Sequence, residues 1–253
     1  LYQVVLGQQR LRARLPALVR GPLSAAAGRL PVGFRGRTYA RALALDPLDA
    51  VAETGLYFDR PTRLALCPLL RVAGRPGAGE AYRRAAAAGA CDTVQQLTRA
   101  DFASYLCDDI LVKVDRASML ASLEVRAPFL DPRVIEFAFG RVPGVLRATL
   151  FQRKVLTRRL AARLLPPALD LSRKQGFSIP LARWFRGEWG RFLESVLAGT
   201  PAELLDAGMV RRLVDGQRRG LNNGQRLFAL AMLELWRREY GAEIPQPGRA
   251  VAG

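Results

Sequence analysis

Apolar residues in this chain recur at the three- and four-residue spacing of a helix almost from end to end, and strand-like alternation is scarce. Such a pattern closes a core by stacking helices, so a mainly α fold is expected. From Val4 to Leu30, Leu11, Leu15, Leu18 and Val19 stand among arginines and predict an amphipathic helix that stops near Pro22. Tyr82 to Ala90 is an alanine-rich helix. Asp101 is expected to cap a short helix carrying Phe102, Tyr105 and Leu106 on one face. A second helix is expected to start at Asp108 or Asp109, with Ile110 and Val114 inward. Asp131 followed by Pro132 marks a further start, with Val134, Ile135 and Phe137 as the buried side. Helix then dominates to Tyr240. No internal repeat is present, and the stretch Ala73 to Gly79, AGRPGAG, is the best linker candidate. Residues 1–244 read as one structured portion and 245–253 as a disordered tail.

Composition removes several chemistries. With no His among 253 residues, neither a Ser-His-Asp nor a Cys-His site can be built here, because no imidazole is available as the base. Cys67, Cys91 and Cys107 have no CxxC spacing and make no ordinary zinc site, so no metal is expected on protein ligands. They read as reduced thiols of a cytoplasmic protein. Charges interrupt every long apolar run, as Glu234 does between Leu227 and Trp236, so no membrane span is expected. The formal charge of +17 raises nucleic-acid binding. The basic residues are scattered through Ala- and Leu-rich helices without interleaved aromatics, which favours a solvated arginine-rich surface.

Chemistry concentrates between Asp101 and Leu181. In YLCDDILVKVDRASMLASLEVRAPFLD, Lys113, Asp115, Arg116, Glu124 and Arg126 sit among Leu, Val, Met and Phe. Charges held in apolar surroundings should be paired or should face a polar cavity. Spacing alone leaves two readings open: an ion-pair network beneath a site, or the wall of a pocket for a charged substrate. Further on, the loop SRKQGFSIPL places Arg173 and Lys174 before Gly176, whose conformational freedom lets backbone and cation approach an anion.

The order DDILVKVDRASM, SLEVRAPFLD, a K-x-L-x-R helix at Lys154 to Arg158, and RKQGFSIPL resembles the asparagine synthetase B family. The closing LFALAMLELW, Leu227 to Trp236, resembles that family's last helix. The likeness covers about Asp101 to Tyr240, whereas the first hundred residues match only in general character. It implies the C-terminal helical portion of an α/β adenine-nucleotide-hydrolase-like synthetase domain, of the PP-loop ATP pyrophosphatase type. The implied reaction is attack of the aspartate β-carboxylate on the α-phosphorus of ATP, giving β-aspartyl-AMP and pyrophosphate. Ammonia from glutamine then displaces AMP, and Mg2+ accompanies the nucleotide.

By the same resemblance Lys174 matches the catalytic lysine of the family's R-x-K-x-x-F loop. Lys154 matches a second basic position, and Asp109 falls by an acidic residue near the reacting groups. Lys113, Asp115, Arg116, Glu124 and Arg126 match the family's pattern as substrate-binding or scaffold residues. Ser172 stands where the family has Arg, and Arg173 beside Lys174 is its candidate replacement. Cys107 stands where many relatives have Pro, which implies an altered turn.

The family's phosphate loop, of the type SGGxDS, does not occur in these residues, nor does its ELFGGY loop or its glutaminase Cys. With a start that is not Met, the chain reads as a C-terminal fragment, inactive alone, whose glutaminase and phosphate-loop segments act in cis or in trans. A homodimer is compatible with it. Two other readings are a related adenylating amide synthetase with a different acceptor, of macrolactam or β-lactam type, and a basic helical module that binds nucleic acid or an acidic partner.

Overall fold

An aspartate side chain can accept an N–H that the first turn of a helix leaves without a partner. Asp59 accepts from the Thr62 amide at 3.0 Å, Asp92 from Gln95 at 2.8 Å, Asp131 from Arg133 at 2.9 Å and Asp206 from Met209 at 2.7 Å. The start expected at Asp131 is therefore present. The structure, a computed structural model, describes residues 2–53, 55–73, 78–90, 92–170, 180–185 and 187–244. The linker candidate falls partly outside them and the tail wholly so.

Among the described residues there is no strand, only an isolated bridge between Ala148 and Arg153. The first helices are α1 (Tyr2–Arg14), α2 (Ala17–Arg29), α3 (Arg37–Ala42), α4 (Pro47–Glu53), α5 (Arg60–Leu66) and α6 (Pro68–Ala73). Next come α7 (Ala78–Ala87), α8 (Thr93–Asp101), a π-helical stretch (Phe102–Leu111) and α9 (Val112–Met119). The remainder holds α10 (Pro132–Arg141), α11 (Gly144–Arg147), α12 (Val155–Leu164), α13 (Leu181–Trp184), α14 (Glu188–Ala198), α15 (Ala207–Arg218) and α16 (Gly224–Glu239). The chain folds into two compact units.

The first unit joins Leu1–Arg20, Leu43–Gly55 and Ala78–Gln175. Its core is Val5, Val51, Ala87, Leu97 and Ala100, all buried, with Tyr2 and Leu48 packed on it. Here the structure departs from several local expectations. Helix α1 ends at Arg14, and Pro22 lies inside α2 instead of stopping it. The expected stripe does not face the core: Val5 and Gln8 are buried, while Leu11, Leu18 and Val19 are exposed. Asp101 caps nothing, because its own backbone is helical (φ −70°, ψ −38°) and α8 runs unbroken through the π stretch into α9. No helix starts at Asp108 or Asp109 for the same reason. The Asp101 carboxylate instead accepts from the Tyr2 hydroxyl at 2.9 Å and pairs with Arg83 at 3.3 Å. Burial, then the charge and hydrogen bond of Asp101, push the Tyr2 hydroxyl well above its ordinary pKa.

The second unit joins Gly21–Ala42, Leu56–Gly77 and Gly176–Gly253. Leu66, Leu193, Val196, Leu197, Met209, Leu213, Leu227 and Leu230 belong to its core. Glu234, which interrupts the apolar run of α16, is itself fully buried. It is tolerated because Arg237 donates to both of its carboxylate oxygens, at 2.8 and 2.9 Å, and Arg238 donates at 2.6 Å. Arg238 also reaches the Val196 carbonyl at 3.2 Å, so the network fastens α16 to α14. Gly33, at φ +91°, is required by a close approach: a β-carbon there would stand 2.5 Å from Asn223 Oδ1. Asn223 is fully buried, and its side-chain nitrogen donates to the Val32 and Leu213 carbonyls.

A second buried carboxylate organises the start of α5. Arg37 Nη1 lies 2.6 Å and Arg41 Nε 2.9 Å from Asp59 Oδ2. Burial alone would raise the Asp59 carboxyl, but the Thr62 hydrogen bonds with the charges of Arg37 and Arg41 outweigh it and hold the group below its ordinary value. With the folded pKa depressed, the stabilisation is complete above the unfolded-state value of about 3.9 and is lost as pH falls through the folded value. Asp59→Asn should cost about 3 kcal/mol at neutral pH by urea titration, since it leaves two guanidiniums without their counter-charge. The same variant should lose less stability than the parent between neutral pH and acid. Glu234, depressed in the same direction by the Arg237 hydrogen bond against the opposing effect of burial, leaves part of that acid sensitivity in place.

Candidate active site

The π-helical stretch widens the helix by one residue per turn, and such insertions recur at functional positions because they re-aim the side chains around them. It carries Cys107, Asp108 and Asp109, all exposed. The altered turn expected at Cys107 is absent; its Sγ rests 3.2 Å from the Phe102 carbonyl oxygen within continuous helix. Lys113, Asp115 and Arg116 follow on α9 and are exposed too.

After Met119 the helix unwinds through Ser122, held at φ 54°, into an irregular segment that ends in a 3-10 turn at Pro128–Leu130. Glu124 and Arg126 lie on this segment, 2.5 Å apart, with side chains 70% and 85% exposed. The expectation that apolar neighbours would hold this pair in a buried ion-pair network is thus corrected. An ion pair between two residues so close in sequence and so open to solvent contributes little to the fold. The neighbouring apolar groups are themselves uncovered: Leu120, Leu123, Val125 and Phe129 are exposed, Leu120 at 90%. Val134 and Phe137, expected on the buried side of α10, are exposed as well.

Lys154 is placed by a separate device. The Thr149 amide donates to the Gln152 carbonyl at 2.8 Å, and the Thr149 hydroxyl oxygen accepts from the amides of Phe151 and Gln152. The chain leaves this tight turn with Lys154 in the left-handed region (φ 56°, ψ 44°), and α12 begins at the next residue. A side chain held there costs on the order of 1 kcal/mol, and such residues cluster at functional sites. Phe151, beside it, is 86% exposed. Arg173 and Lys174 lie outside the described residues.

Asp109, Lys113, Asp115, Arg116, Glu124, Arg126 and Lys154 therefore share one compact unit and lie on its surface, among apolar side chains left open to solvent. No cluster of three or more His, Cys, Asp or Glu among the described residues could hold a metal ion. The π stretch and the left-handed Lys154 had no signal in the sequence. The buried anchors Asp59 and Glu234 were also missed, since a carboxylate reads as exposed unless its arginine partners are seen beside it.

The chain matches the family described as Asparagine synthase over residues 10–238. It belongs to the asparagine synthase family, whose domain is of the PP-loop ATP pyrophosphatase-like superfamily. It is 33% identical over 150 residues to a putative glutamine-hydrolysing asparagine synthetase of Mycobacterium bovis, and equally to one of Mycobacterium tuberculosis. It is 25% identical over 145 residues to a glutamine-hydrolysing asparagine synthetase 1 of Bacillus subtilis. These alignments cover 57% and 56% of this chain but only 22% and 23% of the relatives. No solved structure matches. No helix among the described residues is long and apolar enough to cross a membrane.

If Glu124 and Arg126 hold nothing in this unit, Arg126→Ala should leave the urea midpoint of the chain unchanged. A clear loss of stability would restore the buried-network reading.

Proposed function

We propose that this chain, over residues 1–244, is the C-terminal helical part of the synthetase domain of an enzyme that makes asparagine from aspartate, ATP and glutamine-derived ammonia in the cytoplasm. The observation that carries the reading is the family match across most of the chain, joined to the exposure of the matched charged residues beside uncovered apolar groups. Apolar side chains such as Leu120 and Phe151 gain nothing in solvent, and a covering partner would desolvate the charges next to them. The phosphate-binding and glutaminase segments are assigned to that partner, in cis or in trans.

In the assembled site the aspartate β-carboxylate attacks the α-phosphorus of ATP and pyrophosphate departs. Ammonia then attacks the activated carbonyl and AMP departs with the bonding pair. Negative charge builds on the phosphates in the first step, and Lys174 is assigned to meet it with a fixed ammonium in a dry site. Lys154 is the second cation, anchored by its left-handed backbone. Asp109 borders the reacting groups, and Lys113, Asp115, Arg116, Glu124, Arg126 and Arg173 shape the pocket. Magnesium enters with the nucleotide phosphates and is given no ligands among the described residues.

Two measurements test this. Calorimetry on the isolated chain should find ATP binding weaker than about 100 µM, because no SGGxDS loop is present to grip the phosphates. In the assembled enzyme, Lys174→Ala should lower kcat for pyrophosphate release by at least about 100-fold, with a much smaller change in KM for ATP and an unchanged glutaminase rate. Near-normal pyrophosphate release would remove Lys174 from the mechanism and leave Lys154 as the candidate.

A further inference from the structure

Within the second unit a cavity of about 320 Å³ opens between the end of α2, α3, α5 and α15. Its size lies at the lower end of the range that holds small organic ligands. Among the described residues four arginines line it, Arg37, Arg41, Arg212 and Arg219, and no carboxylate does. Apolar side chains, among them Leu30 and Met209, complete the walls. None of these residues belongs to the candidate active site.

Asp59 balances only part of this charge from behind, being shared by Arg37 and Arg41. Arg37 is satisfied: it donates to Asp59, to the Leu30 carbonyl at 3.0 Å and to the Thr62 hydroxyl at 3.5 Å. Arg41 shares that one carboxylate but is misaligned with it, so its Nε is buried without a hydrogen-bond acceptor. A buried N–H of this kind costs free energy until something accepts from it. Gly28 makes room for the guanidinium, since a β-carbon there would stand 2.8 Å from Arg41 Nη1. Among the described residues Arg212 makes a weak contact, 3.4 Å to Met209 sulfur. The local excess of positive charge is felt nearby: burial and then the charge of Arg37 hold Arg226 below its ordinary pKa, with Asp59 opposing.

We propose that this cavity is a binding site for a small organic phosphate, its oxyanion held by Arg41, Arg212 and Arg219 and its compact apolar body against Leu30 and Met209. Guanidiniums suit a phosphate because their fixed N–H pairs match its oxygens and are weakly hydrated. The apolar wall distinguishes an organic ester from the free ion.

The test is calorimetry on the 253-residue chain with phenyl phosphate at constant ionic strength, with inorganic phosphate and benzoate alongside. Phenyl phosphate should bind saturably and at least about tenfold more tightly than either control. Arg212→Glu and Arg219→Glu, both at exposed positions and checked for unchanged far-ultraviolet circular dichroism, should each weaken it by at least about tenfold. Arg163→Glu, in the other unit, makes the same change in net charge and should have no effect. Absence of saturable binding, equal affinity for a control anion, or an equal loss in Arg163→Glu would overturn the proposal. ATP calorimetry and Lys174→Ala address different residues, so this site and the proposed function stand or fall separately.

Discussion

The two buried carboxylates among the described residues are each neutralised by a pair of arginines, and the helices are positioned by where those pairs form. Asp59 gathers Arg37 and Arg41, Glu234 gathers Arg237 and Arg238, and Asp101 gathers Arg83 together with the Tyr2 hydroxyl. With 39 basic residues against 22 acidic ones, acids are the scarce partner. A buried carboxylate can then be clamped from two sides, which satisfies its lone pairs and offsets its desolvation. Arg237 and Arg238 follow Glu234 on one helix, so that clamp is local in sequence, and Arg238 carries it across to α14.

Local signals that act through the backbone were legible in the sequence. The dominance of helix from Pro132 to Tyr240 and the Asp131 cap depended only on residues within a turn of one another. Signals that needed a third dimension were not. Asp101 has a cap's composition, but α8 already continues through it, so the carboxylate turns to Tyr2 and Arg83. Leu11, Leu18, Val134 and Phe137 have core composition and helical spacing, yet they are exposed. Periodicity marks a stripe that could be buried; what covers it is decided elsewhere in the fold. Glu234 does break an apolar run, as its sequence shows, but its burial against two arginines was not legible there.

The candidate active site divides along the same line. The residue types and their order were sufficient to suggest a family, because motif order survives without coordinates. Their setting was not readable. Glu124 and Arg126 looked like buried pairs because their neighbours are apolar, but those neighbours are exposed with them. The π-helical insertion and the left-handed Lys154 are backbone states that no residue nearby announces.

That exposure bears on why such a segment exists. A charge on a solvated surface contributes little to the stability of its own chain, and an exposed Leu or Phe contributes no burial. The stretch from Asp108 to Phe129 and the turn before Lys154 thus add little to the folding of the unit that carries them, whereas the anchors at Asp59, Asp101 and Glu234 add a great deal. A surface that meets substrate has the opposite requirement: its cations must reach outward from their own unit. The left-handed Lys154 illustrates the separation, for its backbone is fixed by the Thr149 turn and the first turn of α12 while its side chain stays in solvent. Stability resides in the buried carboxylates and their arginines, while the surface proposed for catalysis adds little to it.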